Sequence, residues 1–406
     1  MFRRPYTTIC REGWYYLFVT AIVFVGAMVK EVNLLLVLAG MMMGLVLFHW
    51  QALFVSLKGL KLQRKAPQAV CAGDLLAVSL RLSNTRLRFA SWAVTVEEQI
   101  ERESGTLKSN HNHNQHRYRP SHDKPIWTSV FFSYIPAGEE RIGAYRGRLV
   151  ERGRYRLGPM RMSTRFPFGL FCRKITIGQS ETLYVYPRLG RLTRSWLARH
   201  RKALAGADRR QRRPGPEGDF YGVREWRSGD SLRLIHWRSS ARTGKLVVRQ
   251  FEQPHNRDVA ILLDLWLPEK PTDAQRENVE LAISFAATVL TDLCRQGGGK
   301  AHLGVYDRQP QSLGGPASAA LLQDMMKTLA VLEAGSEDRL PELIERLLGD
   351  IASGTEIVLI STRPVDLSDS KRFAAICSDA ALQASARHIR CIDASSNALQ
   401  EFFIAE

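Results

Sequence analysis

Acidic residues are scarce through most of this 406-residue chain, and its cysteines are few and scattered. The six, Cys10, Cys71, Cys172, Cys294, Cys377 and Cys391, form no CxxC pair and no metal-ligand spacing, which argues against a disulfide framework and a zinc site. A reducing compartment fits best. The sequence also lacks a P-loop, a GxSxG elbow, an HExxH helix and a GxGxxG turn after a strand, so no common enzyme signature is present. His236 stands near Ser239 and Ser240, but without the orienting third group that a nucleophilic arrangement needs. The expectation is a protein that is not an enzyme and uses no cofactor.

The shortage of acid is local. Residues 1–249 hold 43 basic and 17 acidic side chains, a net of +26, whereas residues 250–406 hold 14 and 23, a net of −9. A basic region of that size faces something anionic, and lipid headgroups, nucleic acid and the chain's own acidic part are the candidates. At this length there is room for two or three domains with ordinary apolar cores.

Long apolar runs are confined to the first sixty residues. Residues 14–29 read WYYLFVTAIVFVGAMV and 34–57 read LLLVLAGMMMGLVLFHWQALFVSL, with no charge inside either. Both approach the ~20 apolar residues that a bilayer core demands, and the first opens on an interfacial Trp-Tyr-Tyr cluster. A signal peptide predicts a single apolar stretch of about 7–15 residues, whereas here a second span follows at once. The reading is a transmembrane hairpin in residues 1–60, with spans at about 14–30 and 34–56. Arg3, Arg4 and Arg11 precede the first span, and Lys58, Lys61, Arg64 and Lys65 follow the second. The positive-inside rule then sets both termini and the soluble body in the cytoplasm, as a multi-pass protein of a bacterial inner membrane. Gly26, Gly40 and Gly44 are candidates for close packing between the two helices.

After a basic linker at 61–65 the texture changes to short alternating runs at 75–82, 92–96, 128–134, 144–150 and 183–186, divided by turn residues. This pattern predicts a small antiparallel sandwich or barrel over 66–190. Inside it, His111, His113, His116 and His122 crowd into a polar run. Metal capture competes there with a solvated loop, and no rigid ligand geometry is evident. Another basic run at 188–213 reads either as an amphipathic helix on anionic headgroups or as a solvated connector.

Two stretches are far from generic. One is R-G-R-Y-R-L-G-P at 152–159, leading into F-P-F-G-L-F at 166–171. The other contains Glu217, Phe220, Arg224, Trp226, Gly229, Asp230, Arg233, His236, Trp237, Ser240, Arg242, Arg249 and Glu252. Together they resemble the bacterial family called domain of unknown function 58, in which such a pair of motifs precedes a block of the form E-F-x-x-x-R-x-Y-x-x-G-D-x-x-R-x-I-D-W-x-x-S-A-R. The chain departs from that pattern at Trp226 and His236, where the family shows Tyr and Asp. The resemblance implies an N-terminal membrane hairpin, a C-terminal von Willebrand factor A-like domain and association with MoxR-type AAA+ ATPases. Read alone, the arginines of the block have three competing roles: pairing of Arg224, Arg233 and Arg242 with Glu217, Asp230 and Glu252, contact with phosphate, and partner recognition.

From residue 257 strands and helices alternate: strands at 259–263, 302–306, 356–361 and 389–392, and helices at 276–296, 318–332 and 341–352. The pattern predicts a mostly parallel sheet covered on both faces, an α/β, Rossmann-like domain over 257–406. Residues 191–256 between the domains hold the basic linker and the signature block. A-like domains often bind a divalent metal through D-x-S-x-S at the end of the first strand. The matching positions here are Asp264, Trp266 and Pro268, which predicts a degenerate site with a structural Asp264 that accepts loop N–H groups, and no metal.

The function expected is a membrane-anchored adaptor or assembly protein whose A-like domain engages a protein partner. Nucleic-acid or anionic-lipid binding through the basic middle is the alternative, and an envelope-related enzyme is a second.

Overall fold

The computed structural model describes residues 5–30, 32–103, 125–196, 198, 219–252, 258–307, 309–352, 355–369, 372–373, 389–395 and 398–405. The histidine run at 111–122, Cys377, Glu217 and most of the basic run at 188–213 lie outside them. The chain divides into two compact units, Met1–Pro187 and Arg188–Glu406.

In the first unit the apolar runs form two helices, α1 (Arg11–Lys30) and α2 (Asn33–Ser56), each long and apolar enough to cross a membrane. Most of their side chains, Phe18, Ile22, Leu34, Met41 and Leu47 among them, are exposed, unlike those of a soluble core helix. Their inner faces are set by a seven-residue period. Thr20 and Ala27 are buried on α1, and Ala39 and Leu53, with half-buried Val46 between them, lie inward on α2. That spacing is the one for helices packed at a shallow left-handed crossing. The glycines marked by sequence are not part of this seam. A Cβ added at Gly26, Gly40 or Gly44 meets no atom within 4 Å, so their frequency reflects composition and not close approach.

Strands precede and follow the hairpin directly. β1 (Tyr6–Ile9) leads into α1, and α2 leads into β2 (Leu60–Lys65). Residues 61–65, expected as a basic linker, are therefore sheet. Leu60 and Leu62 point inward in strict alternation, and the inward place at Arg64 is filled by a guanidinium matched to carboxylates. Arg64 pairs with the fully buried Glu98, whose other oxygen accepts from the Tyr145 hydroxyl at 2.8 Å, and it lies 3.1 Å from Glu181. Burial, reinforced by Glu98, pushes the Tyr145 phenol above its ordinary value, so it stays a donor. Arg64 is thus an interior cation and not a flanking charge of the second helix.

The rest of the unit is a β-sandwich. One sheet is β2-β4-β7, with β4 (Leu75–Asn84) and β7 (Glu140–Arg148) antiparallel to their neighbours. The other follows the order β1-β9-β8-β10-β3, where β3 is Ala69–Cys71, β8 Gly153–Thr164, β9 Phe171–Ile177 and β10 Glu181–Tyr186. β5 (Ser91–Glu103) lies along β8, and β6 (Ile126–Ile135) along β5. Alternate residues meet between the sheets, Leu76, Val78, Leu80 and Leu82 from one and Val94, Val96, Leu157, Met160 and Leu183 from the other. All pairings among the described strands of this sandwich are antiparallel except β10 with β3.

The F-P-F-G-L-F motif is the turn from β8 to β9, and it seats the helix ends. Phe168 and Phe171 bracket the His49 ring at centroid distances of 5.8 and 5.4 Å, and Phe171 meets Trp50 edge-on at 5.5 Å. The Arg173 guanidinium covers the Phe54 ring at 3.9 Å. On the α1 side the Cys10 N–H donates to the Leu170 carbonyl at 2.9 Å. Gly13 is required by that approach, since a Cβ there would lie 2.2 Å from the same oxygen.

The second unit is α/β. Its sheet runs β16-β15-β14-β17-β18, from β14 (Val259–Asp264), β15 (Lys300–Tyr306), β16 (Pro310–Pro316), β17 (Glu356–Ser361) and β18 (Ile389–Asp393). β14 is parallel to β15 and β17, β18 is parallel to β17, and only β16 is antiparallel, at the edge. β14 is buried at every position, which explains its unbroken apolar run. Helix α4 (Asp273–Gln296) starts at a capping box of Thr272 and Gln275, and α5 (Ala319–Val331) starts at a Ser318 cap. α6 (Leu340–Asp350) carries Leu343, Ile344 and Leu347 into the core. β16, P-Q-S-L-G-G-P, has no apolar period to reveal it. Its Gly314 leaves room for the His302 ring, which a Cβ would meet at 2.0 Å.

The segment at 188–196 belongs to this unit. β11 (Arg191–Leu192) pairs with β19 (Phe403–Ile404), which follows the short helix α7 (Ala398–Phe402). Trp196 is buried against Phe285 at 5.2 Å and Phe402 at 6.2 Å, so that indole has no part in a lipid-facing helix.

Candidate functional site

The signature block folds around a two-stranded ribbon. β12 (Asp219–Glu225) pairs antiparallel with β13 (Val247–Glu252), and the register shifts between Phe220 and Gly222. Between the strands lie a tight turn at 226–230, a 3-10 turn at Leu232–Leu234, and the short helix α3 (Trp237–Thr243), which ends at the left-handed Gly244. Gly229 holds φ +105° in the turn, a region that L side chains rarely enter.

Asp230 organises that turn. Its carboxylate accepts two bonds from Arg224, at 2.7 and 2.8 Å, and one from the Arg227 N–H at 2.8 Å. The Trp226 indole N–H donates to the Asp230 carbonyl at 3.3 Å. Arg224 and then the Arg227 N–H hold the Asp230 carboxyl down to about 2, so it is ionised at any physiological pH. The same pair holds Arg224 above its ordinary value. Of the internal pairing of Arg224, Arg233 and Arg242 with Glu217, Asp230 and Glu252 weighed from sequence, Arg224 with Asp230 is present among the described residues, and Glu225 pairs with Lys245, at 2.8 Å.

His236 organises the helix start. Its Nδ1 accepts from the Ser239 N–H at 3.2 Å and lies 2.8 Å from Ser239 Oγ, which makes it the N-cap of α3. The imidazole nitrogen does what a carboxylate at this position would do, so capping survives the His for Asp departure. Ser240 is buried. Its hydroxyl donates to the His236 carbonyl at 3.1 Å and accepts from the Val247 N–H at 2.9 Å, tying α3 to β13. Among the described residues no carboxylate meets the His236 ring, so the His236–Ser239 contact has no orienting acid.

The outward face is different. Leu232 and Trp237 are 67% and 66% exposed, with Val223 and Leu246 also largely open. Arg233, Arg238, Arg242 and Arg249 are exposed around them, and among the described residues none has a carboxylate partner. Residues 237 and 241, and 238 and 242, are four apart on α3, which sets an apolar row beside a cationic one. Phe220 and Glu252 are in the ribbon by their backbones, but their side chains, like Glu217, lie outside the described residues.

Asp264 follows the block by one strand and sits at the end of β14, 7% exposed. Its carboxylate accepts from the Ser361 hydroxyl at 2.9 Å and from Arg363 Nε at 3.2 Å, where loop N–H groups were expected; among the described residues no backbone N–H donates to it. The Trp266 indole N–H donates to the Ser336 carbonyl at 2.9 Å. No cluster of three metal-ligating side chains exists among the described residues. Ser361, Arg363 and their neighbours Asp338 and Arg372 had no sequence signal, since they reach Asp264 only through the sheet.

Residues 222–361 match the family described as "Protein of unknown function DUF58". A Bacillus subtilis protein, "Uncharacterized protein YeaD", is 24% identical over 157 residues, which are 38% of this chain and 37% of that protein. The chain thus aligns with well under half of that relative's length. Among solved structures, the CARDB domain of PF1109 from Pyrococcus furiosus is 13% identical, with 31% of this chain and 94% of that one covered at a TM-score of 0.19. The sporulation control protein Spo0M from Bacillus subtilis is 10% identical, with 42% and 58% covered at a TM-score of 0.19. Scores this low carry no argument about fold or function.

Proposed function

We propose, for a chain that belongs to the DUF58 family, a non-catalytic membrane-anchored adaptor that docks an acidic protein partner on the outward face of its signature block. The observation that carries this reading is the division of labour within the block. Asp230, Arg224, His236 and Ser240 are engaged in holding the turn and helix, while Leu232 and Trp237 stay exposed beside Arg233, Arg238 and Arg242. Exposed Trp and Arg are among the residue types that dominate protein interfaces, and guanidinium groups with no carboxylate partner among the described residues favour a carboxylate-bearing partner. The partner class implied by the family resemblance is a MoxR-type AAA+ ATPase.

The remaining parts of the reading follow from the same layout. α1 and α2 serve as a multi-pass anchor in a bacterial inner membrane, with Arg11, Lys58 and Lys61 on the cytoplasmic side. The second unit is read as von Willebrand factor A-like, on the strength of its parallel sheet with one antiparallel edge strand.

The test is co-purification of a MoxR-type ATPase with the intact protein from detergent-solubilised membranes. Wild type should retain the ATPase, and Trp237→Ala combined with Arg238→Glu should reduce recovery at least tenfold, ~1.4 kcal/mol, with an unchanged melting temperature. Equal recovery from the variant sinks the docking face. Binding of anionic vesicles or oligonucleotides that falls steeply with salt and is lost in the same variant would favour the phosphate reading.

A further inference from the structure

The carboxyl ends of the β14 and β17 strands form the crevice where open α/β sheets bind ligands. β14 is central, the chain returns as β15 on one side and as β17 on the other, and such a switch point leaves an opening beyond the strand ends. Here the opening is filled from within. Asp264 and Ser361 are register partners at the two strand ends, joined by the 2.9 Å hydroxyl bond. Arg363 enters between them and a second acid: its Nε reaches Asp264, its Nη2 reaches Asp338, and its backbone N–H donates to Ser361 Oγ at 3.2 Å. Arg372 donates two bonds to Asp338, at 2.7 and 2.9 Å, the second to the oxygen that Arg363 also reaches. The Trp266 ring backs the Arg363 guanidinium at 5.4 Å.

A carboxylate and a hydroxyl at the strand ends, with the Asp338 carboxylate from the segment between α5 and α6, make the oxygen set that suits a hard divalent cation. In this chain a fixed guanidinium lies among those oxygens, and the two acids are already matched by two arginines. A divalent ion would have to displace a positive group that the fold holds on both edges. We propose that Arg363 is the resident cation of this crevice, standing in for a divalent ion and holding the strand-end face in one arrangement without metal. The planar fork suits the task, because one guanidinium spans two carboxylates that a lysine ammonium could not bridge in the same way. Whatever this unit engages, it then does so regardless of chelator.

Melting of the intact protein in detergent, in EDTA and in millimolar MgCl2 or MnCl2, tests it. Wild type should melt identically in all three. Arg363→Met should melt roughly 5 °C lower or more in EDTA, as expected when one partner of a largely buried pair is removed. MnCl2 should then restore at least half of that loss, and adding Asp264→Asn should abolish the restoration. Three results would overturn the proposal: a saturable Mn2+ shift in wild type that Asp264→Asn removes, an Arg363→Met protein that melts like wild type, or one that is unaffected by Mn2+. Should Arg363→Met not be recovered folded, Arg363→Lys decides. A lowered, metal-insensitive melting temperature is expected, and a wild-type value would refute the need for the fork.

Discussion

The turn at 166–171 and the block at 219–252 are equally unusual as sequence, yet their aromatic side chains are used in opposite ways. Phe171 is almost fully buried against His49, Trp50 and Leu53, so the first motif is consumed by holding helix ends to a sandwich. Trp237, in the second, is left two-thirds exposed although its neighbours His236 and Ser240 are fixed by hydrogen bonds on either side. The first motif puts Phe171 into packing and rests the half-exposed Phe168 against Phe48 and His49, so the fold accounts for both rings. A motif whose polar residues are satisfied internally while an indole stays out needs a reason beyond the fold, and a partner surface supplies it.

The contrast can be broken first at Phe171. Phe171→Ala should destabilise the first unit by about 3 kcal/mol, the low end for a buried aromatic, and leave ATPase recovery at the wild-type level in a pull-down. A loss of partner at full stability would place the first motif in recognition as well. A smaller effect sharpens the inner half of the second motif. His236→Ala should cost about 1 kcal/mol through the lost cap of α3, and His236→Asp should recover it, both read from denaturant midpoints. Equal stability of all three proteins would mean that the 3.2 Å cap bond holds nothing. The smallest effect is expected at the outward face, where Trp237→Ala alone should change stability by less than about 0.5 kcal/mol. A large drop there would make the indole a packing residue and end the comparison.

How much of this was visible in the sequence depended on whether the physical cause was local. β14 and β17 announce themselves because burial on both faces demands unbroken apolar runs, and α4 begins at a capping box written in four consecutive residues. β2 was disguised, since its inward Arg64 is tolerated only because Glu98 and Glu181 approach from other strands. β16 was hidden by its prolines and glycines, which an edge strand tolerates. At the candidate site Arg224 and Asp230 are six residues apart, and their pairing was open to inspection. The capping role of His236 was not, because histidine is not a usual cap and the acceptor nitrogen shows only in three dimensions. Asp338, Arg363 and Arg372 meet through crossovers of the sheet, beyond any spacing rule.

The pairing of Tyr6–Ile9 with β9, in register from Tyr6 with Lys174 to Ile9 with Phe171, sets an order of events during synthesis. Among the described residues the strand Tyr6–Ile9 has no strand partner until the chain has grown past position 174. At roughly 5–20 residues per second that delay is on the order of ten seconds or more. Both apolar helices have emerged by then, whereas the strand that fastens their near end has not. The hairpin must therefore find its own surroundings while the sandwich is still incomplete, and the late arrival of β9 acts as the stitch that fixes whatever arrangement the helices have reached.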